Sequence, residues 1–453
     1  MNKVLIANRG EIACRIADSC RALGLKTVAI HSEPDTDARH VALADESYAL
    51  GGASALDSYL RVDRVLEAAH GTGAQAIHPG YGFLAENADF ARAVAAAGLV
   101  WVGPTPESID DMGDKERARL LARAAGLPIL PGSARFGPGD VAGLEQAGDE
   151  VGYPLLVKAA AGGGGIGMRR VDRAQDLGAA VSATQGMAQR AFGDGTVYLE
   201  RFIAHARHIE VQVFGFGDGT AVHVHERDCS IQRRFQKIVE ESPAPGLPAA
   251  VREAMCASAV ALCRQERYRG AGTVEFVVDA STFEHYFLEM NTRIQVEHPV
   301  SEMNTGLDLV AMQLQLALGA PLPIRAQSDV TAQGHSIECR VYAERPAKGF
   351  LPSTGTLSVL RLPPADASLR IDTGVREGDT VTHHYDPMIA KLIVHADDRP
   401  QAIDRMLAAL RATTIDGVQT NLDFLIRVIG HPSFGDGEVS TGFVERHKAQ
   451  LIG

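Results

Sequence analysis

The chain has 453 residues, 45% of them hydrophobic and 22% charged, the proportions of an ordinary globular protein with room for roughly three domains. A balance of 44 basic against 56 acidic residues, net charge −12, excludes a nucleic-acid surface as the main business, though not a local basic site for phosphates. Six cysteines without a Cys-x-x-Cys pair, and no signal peptide or membrane-length apolar run, predict a cytoplasmic protein that neither enters nor crosses a membrane.

Lys3-Val-Leu-Ile-Ala7 reads as a short strand, Glu11 to Leu23 as a helix stopped by Gly24, and Lys26 to Ile30 as the next strand. That order predicts a parallel α/β layer. The connecting Asn8-Arg-Gly10 holds one glycine and lacks the Gly-x-Gly-x-x-Gly dinucleotide fingerprint. The pattern repeats in Gln75-Ala-Ile77, the loop His78-Pro-Gly-Tyr-Gly-Phe-Leu84, a helix over Asn87 to Ala97, and Val100-Trp-Val102. The first domain is expected to close near Gly103-Pro-Thr-Pro106.

A helix carrying Asp114-Lys115 follows, and Tyr153-Pro-Leu-Leu-Val-Lys158 reads as a strand leading into Gly162-Gly-Gly-Gly-Ile-Gly-Met168. Glycines let backbone N–H groups approach an anion, and Lys158 just ahead of them favours a phosphate lid over a ligand-free hairpin. Met168 follows Gly167 where a Walker A loop needs Lys-Ser/Thr. Tyr198 to Ile203 and His208 to Val213 are β-type runs. His223-Val-His-Glu-Arg-Asp-Cys229 has no standard zinc spacing. Arg233-Arg234 and Lys237 add positive charge, suited to anions or simply to a solvated face.

Gly272 to Asp279 and Phe287 to Pro299 carry the densest chemistry. Read as extended backbone, the second run puts Glu289, Asn291, Arg293, Gln295 and Glu297 on one face. If the two runs pair as a hairpin across Ala280 to Glu284, Glu275 can sit across from Glu289. Two carboxylates side by side, with the Asn291 amide, suit Mg²⁺ or Mn²⁺ shared with nucleotide phosphates; a structural salt-bridge network is the alternative. After Pro321-Leu-Pro323 the character changes. His335 to Arg340 and Thr356 to Leu362 read as strands and Pro400 to Ala412 as a helix, an α+β part of its own.

With these residues in hand, the chain resembles the biotin carboxylases of the ATP-grasp superfamily, from its first strand to about Phe443. The resemblance rests on Lys3 to Ala13, His78 to Glu86, Lys158 to Gly165, Glu226-Arg-Asp-Cys-Ser-Ile-Gln-Arg-Arg234, the 287–299 stretch and Tyr385-Asp-Pro-Met-Ile-Ala-Lys391. It implies a Rossmann-like parallel α/β domain over 1–113, an ATP-grasp domain over 114–333 with a lid near 131–203, and a mainly β domain over 334–445. The implied activity is ATP- and bicarbonate-dependent carboxylation of biotin on a carrier protein, through carboxyphosphate. By the same resemblance Lys115, Lys158, Glu200, Arg201, Phe202, Ile203 and His208 match nucleotide positions, with Gly163, Gly164 and Gly165 closing over the phosphates. Glu275, Glu289 and Asn291 match the Mg²⁺ or Mn²⁺ site, and Lys237, Arg293, Gln295 and Val296 the bicarbonate site. Glu297 matches the base, Arg340 the residue at biotin's ureido oxygen, and Tyr81 a position near biotin.

Two positions depart from the family pattern: Ile166 where many members carry Arg or Lys, and Phe235, near the nucleotide, where His is usual. Because the chain ends soon after the third domain without an Ala-Met-Lys-Met motif, a free-standing subunit is expected. Its partners would be a biotin carboxyl carrier protein and a carboxyltransferase subunit, and it would pair as a homodimer. Another ATP-grasp ligase would share Glu275 and Glu289 but need not carry Arg293, Gln295, Glu297 and Arg340 together. A catalytically silent ATP-binding subunit would not need the intact acidic and basic set.

Overall fold

Val4, Leu5 and Ile6 are fully buried, because the Lys3–Ile6 strand lies at the centre of a parallel sheet and is covered on both faces. The sheet has five strands in the spatial order Glu46–Ala49, Lys26–His31, Lys3–Ile6, Ala76–His78, Val100–Trp101, all parallel. The order reverses at Lys3–Ile6, so the loops that leave Lys3–Ile6 and Ala76–His78 open onto a crevice. Asn8 stitches those two loops together, donating from Nδ2 to the Pro79 and Tyr81 carbonyls at 2.7 Å each. Gly80 fits there because its φ is +64° and a Cβ would come within 3.0 Å of Asn8. The edge strand Glu46–Ala49 escapes the sequence pattern, since it is short and largely solvent-facing.

The computed structural model describes residues 2–160 and 167–452, apart from the Phe192 side chain. The anion-binding expectation for Gly163, Gly164 and Gly165, and the departure at Ile166, lie outside the described residues. The chain forms two compact units. One comprises Met1–Leu127, His208–Glu275 and Glu289–Gly453; the other Pro128–Arg207 and Phe276–Leu288.

A second sheet of eight strands runs in the order His285–Asn291, Arg269–Asp279, Ala206–Phe216, Ala221–Arg233, Gln236–Ser242, His335–Tyr342, Met388–Ala396, Leu369–Thr373. The last third of the chain, read from sequence as its own part, continues this sheet through the antiparallel pairing of His335–Tyr342 with Gln236–Ser242. Its strands alternate as a two-faced sheet must. Val239, Cys339 and Leu392 pack on the helices Arg399–Ala412 and Leu422–Ile429 through Met406, Leu410, Phe424 and Leu425.

The opposite face is charged. One cross-strand row reads Asp372, Lys391, Arg340, and the next Arg370, Ile393, Glu338, Glu240. Above this face the expected long strand breaks. Strand structure ends at Asn291, residues 292–297 bend and turn, and a helix begins at His298–Thr305, with Pro299 in its first turn. The polar residues after Asn291 therefore converge by turning, not by extended alternation.

The second unit is a three-stranded antiparallel sheet, ordered Met168–Val171, Leu155–Ala159, Val197–Arg201. Leu155, Val157, Val171, Val197 and Leu199 form its apolar face, packed with Leu144, Val151, Leu177 and Val181 from two helices.

Candidate active site

Lys237 is the hub of the first unit. Its Nζ lies 2.6 Å from Glu210 Oε2, 2.7 Å from Glu297 Oε1 and 2.8 Å from Glu275 Oε1. Burial alone would lower the lysine's pKa, but Glu210, Glu275 and Glu297 outweigh it and hold the ammonium well above its usual range. Burial likewise pushes the Glu297 carboxyl up, and Lys237, then Arg340 and Arg227, pull it well below the ordinary carboxylate range. Glu297 is thus fully buried and ionised. Arg340 donates from Nη2 to Glu297 Oε2 at 2.9 Å. Its Nε lies 2.7 Å from Glu240 Oε1, an ion contact outside hydrogen-bond angles.

Glu338 is not hydrogen-bonded to Arg340: neither Glu338 oxygen has a hydrogen-bond partner among the described residues. Burial drives its carboxyl well above the usual range, and burial pushes Glu240 up to about 7.

Glu275 also accepts from Asn291 Nδ2 at 2.9 Å and Gln295 Nε2 at 3.2 Å, and lies 2.9 Å from His208 Nε2. Arg293 braces the same group. It donates to Glu86 at 2.8 Å, to Gln295 Oε1 at 2.9 Å and to Asn291 Oδ1 at 2.8 Å. Burial first, then the Glu275 charge, raises the Glu289 carboxyl, while Lys115 at the start of the Lys115–Ala124 helix opposes both. That surplus negative charge and an oxygen-only pair fit a hard divalent cation at Glu275 and Glu289. Both ends of the Asn291 amide are engaged, its N–H on Glu275 and its oxygen on Arg293.

A cavity of about 560 Å³ adjoins Arg340 and is lined by Tyr81, Phe83, Val296, Tyr342 and Asp386 among others. The Tyr81 hydroxyl donates to Glu11, whose Oε1 lies 3.3 Å from the Lys391 ammonium. Close packing of Gly374 on Gly10 and Glu11 shapes this wall, where a Cβ would come within 2.4 Å of the Glu11 nitrogen.

In the second unit, Lys158 donates to Glu200 Oε1 at 2.6 Å and stands 5.6 Å from the Tyr198 ring. Arg201 donates to the Val151 carbonyl at 2.9 Å, and the Phe202 ring lies under the Arg170 guanidinium at 4.5 Å. Ile203 is half-buried just past the strand. Phe235 is 79% exposed, at the tip of the Arg233–Gln236 hairpin turn, in the first unit. Glu210, Arg227, Glu240, Glu11 and Lys391 were given no role by the sequence reading. Glu210 had a signal, since His208, Glu210 and Gln212 alternate on one strand face. Arg227, fully buried against Glu210 at 2.6 Å and Gln212 at 2.8 Å, had only its place in the Glu226–Arg234 motif.

Residues 1–109 match the family described as biotin carboxylase, N-terminal domain, and residues 338–446 the biotin carboxylase C-terminal domain. Residues 114–325 match the carbamoyl-phosphate synthase L chain, ATP binding domain. Biotin carboxylase 1 of Bacillus subtilis (strain 168) is 46% identical over 450 residues, 99% of each chain. The chain belongs to the biotin carboxylase family.

Methylcrotonoyl-CoA carboxylase subunit alpha, mitochondrial, of Oryza sativa subsp. japonica is 48% identical over 452 residues. The chain spans about three fifths of that relative's length, 61%. Among solved structures, the biotin carboxylase domain dimer of Hydrogenobacter thermophilus 2-oxoglutarate carboxylase, in complex with MgADP, ADP and bicarbonate, superposes with a TM-score of 0.90. It shares 44% identity and covers 99% of this chain and 98% of its own. The biotin carboxylase N-terminal match covers the parallel sheet, and the C-terminal match covers the strands that carry Arg340 and Lys391. Among the described residues no helix is long and apolar enough to cross a membrane.

Proposed function

We propose that this chain carboxylates biotin on a biotin carboxyl carrier protein at the expense of ATP and bicarbonate, the first half-reaction of an acyl-CoA carboxylase. One observation carries this reading. The ionised Glu297 is clamped between Lys237 and Arg340, and Arg340 in turn lines a cavity that also holds Tyr81. A base beside two cations, one of them opening onto a separate pocket, suits two linked half-steps.

Bicarbonate would lie against Lys237, Arg293, Gln295 and Val296. Glu297 accepts its proton, a bicarbonate oxygen attacks the γ-phosphorus, and ADP leaves, giving carboxyphosphate. Lys237 and Arg293 offset the charge that gathers on the carbonate oxygens. The cations that keep Glu297 ionised also reduce its proton affinity, so proton transfer relies on that stabilisation of the carbonate. Glu275 and Glu289 would hold Mg²⁺ or Mn²⁺, which when bound neutralises charge on the phosphates.

Carboxyphosphate breaks down to CO₂ and phosphate. The phosphate removes the ureido proton of biotin while Arg340 stabilises the ureido oxygen, and the nitrogen then attacks CO₂. The resemblance further supports Lys115, Lys158, Glu200, Arg201, Phe202, Ile203, His208 and Phe235 as nucleotide contacts. A carboxyltransferase subunit would take the product onward, and the chain would act as a homodimer. Six buried, unpaired thiols support the reducing cytoplasm as its compartment.

Purified protein should cleave ATP only with bicarbonate present, faster with free biotin, and fix labelled bicarbonate carbon into biotin. ATP cleavage indifferent to both additions, or carbon fixed elsewhere, would overturn the assignment.

A further inference from the structure

The turn at Gln295–Glu297 carries the residues assigned to bicarbonate, yet among the described residues two side chains outside it grip its backbone carbonyls. His298 Nδ1 lies 2.7 Å from the Gln295 carbonyl oxygen. A carbonyl can only accept, so the ring carries its proton on Nδ1. Burial and the neighbouring Lys391 hold this imidazole well below its usual pKa, so it is the neutral tautomer. Lys391 donates to the Val296 carbonyl at 2.6 Å from the charged floor of the sheet.

A trans peptide directs its N–H opposite to its C=O. Fixing the Gln295 carbonyl therefore aims the Val296 N–H away from His298, and fixing the Val296 carbonyl aims the Glu297 N–H away from Lys391. Two successive donors are set in this way on the turn that also bears the Glu297 carboxylate.

Lys391 stands among buried charges. It is fully buried and sits directly across from Arg340 in the strand register, a like-charge pair that opposes folding. Glu11 Oε1 at 3.3 Å and Asp372 Oδ2 at 3.6 Å supply its countercharge. An apolar side chain there would leave Glu11 and Asp372 without that cation. Among the described residues the ammonium's one hydrogen bond is to the Val296 carbonyl, and a charged donor there also polarises the following peptide.

We infer that Lys391 and His298 are positioning residues for bicarbonate, clamping the Gln295–Glu297 turn so that its N–H groups face the anion. They touch no substrate. The inference rests on the reading of this chain as a biotin carboxylase. It adds that bicarbonate recognition is set from beneath the turn, by a strand and a helix.

The test compares the full chain with Lys391→Met, Lys391→Arg, His298→Leu and His298→Asn, the last placing an amide N–H near the position of Nδ1–H. ATP cleavage is followed with bicarbonate and MgATP varied in turn, and folding by thermal melting. Lys391→Met and His298→Leu should raise the bicarbonate KM about 10-fold or more, the loss expected for a charged or buried donor, with the MgATP KM within about 2-fold. Lys391→Arg and His298→Asn should raise it less than their uncharged or apolar counterparts.

If Lys391→Met does not fold, the two His298 variants decide the matter. A bicarbonate KM unchanged in the folded variants overturns the inference, as does an equal rise in both KM values. Wild-type protein whose ATP cleavage ignores bicarbonate would overturn the underlying assignment, and the inference with it; a normal wild-type response with unresponsive variants overturns the inference alone.

Discussion

Arg340→Gln tests how the two half-steps are joined. The side chain is buried between Glu297 Oε2 at 2.9 Å and Glu240 Oε1 at 2.7 Å, and removing it leaves both carboxylates without that cation. An opposite charge at such distances lowers a carboxyl pKa by about 1–3 units. Lys237 and Arg227 remain, so Glu297 stays low but less so. The acid limb of the pH profile for bicarbonate-dependent ATP cleavage should therefore move up by about 1–3 pH units in the variant. Carboxybiotin formation should fall by a larger factor than phosphate release, because the ureido oxygen also loses its guanidinium.

Stability should follow the same sign. A carboxyl whose folded pKa is raised above its unfolded value gives stability that is complete below the unfolded pKa and is lost as pH rises through the folded one. Glu240 is already raised to about 7 by burial, with Arg340 opposing, and losing Arg340 raises it further. The variant is then penalised most at pH 8 and least near pH 6. Breaking a buried pair costs about 3–5 kcal/mol, an upper figure here because protonated Glu240 absorbs part of it. Urea melts of both proteins at pH 6, 7 and 8, with phosphate release and labelled carboxybiotin measured on the same samples, give all the readouts. An unmoved acid limb together with a pH-independent stability gap would falsify this account of Arg340.

Glu275→Gln and Glu289→Gln should each lower Mg·ATP-dependent turnover by at least about 100-fold, the scale for a lost charged group at developing charge. Near-normal turnover of either variant at saturating Mg²⁺ would remove that carboxylate from the metal site. Lys158→Met should raise the MgATP KM by about 10-fold, one charged hydrogen bond's worth, and leave the bicarbonate KM alone; equal changes in both would assign Lys158 to folding of the second unit. Arg234 and Phe235 both take positive φ, 50° and 65°, in a two-residue hairpin turn that favours Asn or Gly. Phe235→Asn should stabilise the protein by about 0.5–1 kcal/mol, part of the cost of a left-handed bulky residue, and an unchanged or lower Tm argues against strain there.

How much of this was readable in advance depended on where each partner came from in the chain. The hairpin of Arg269–Asp279 and His285–Asn291 was legible because alternation and a turn lie within a few residues of each other. The Asn291 amide reaches Glu275 across that hairpin. Asn291 to Glu297 was read as more strand, since a polar residue at every second position looks alike in an extended run and in a bend. What decides between them is the helix that Pro299 starts, and the floor beneath it.

Of that floor only Arg340, through the family resemblance, was given a role from the sequence. Glu240, Glu338, Arg340, Lys391 and Asp372 stand on strands separated by up to about 150 residues, and only the sheet register brings them into two adjacent rows. Apart from that resemblance, each alone reads as an ordinary charged residue on a strand, to be placed in solvent. Buried together they are costly, and the structure meets the cost by mixing signs. The same rows explain why Arg340 would serve both proposed half-steps. It lines the cavity beside Tyr81 and is also the counterion of Glu297, so under the proposed function ATP cleavage and ureido activation would share one guanidinium. A variant at this position should therefore separate the two activities in degree and never completely.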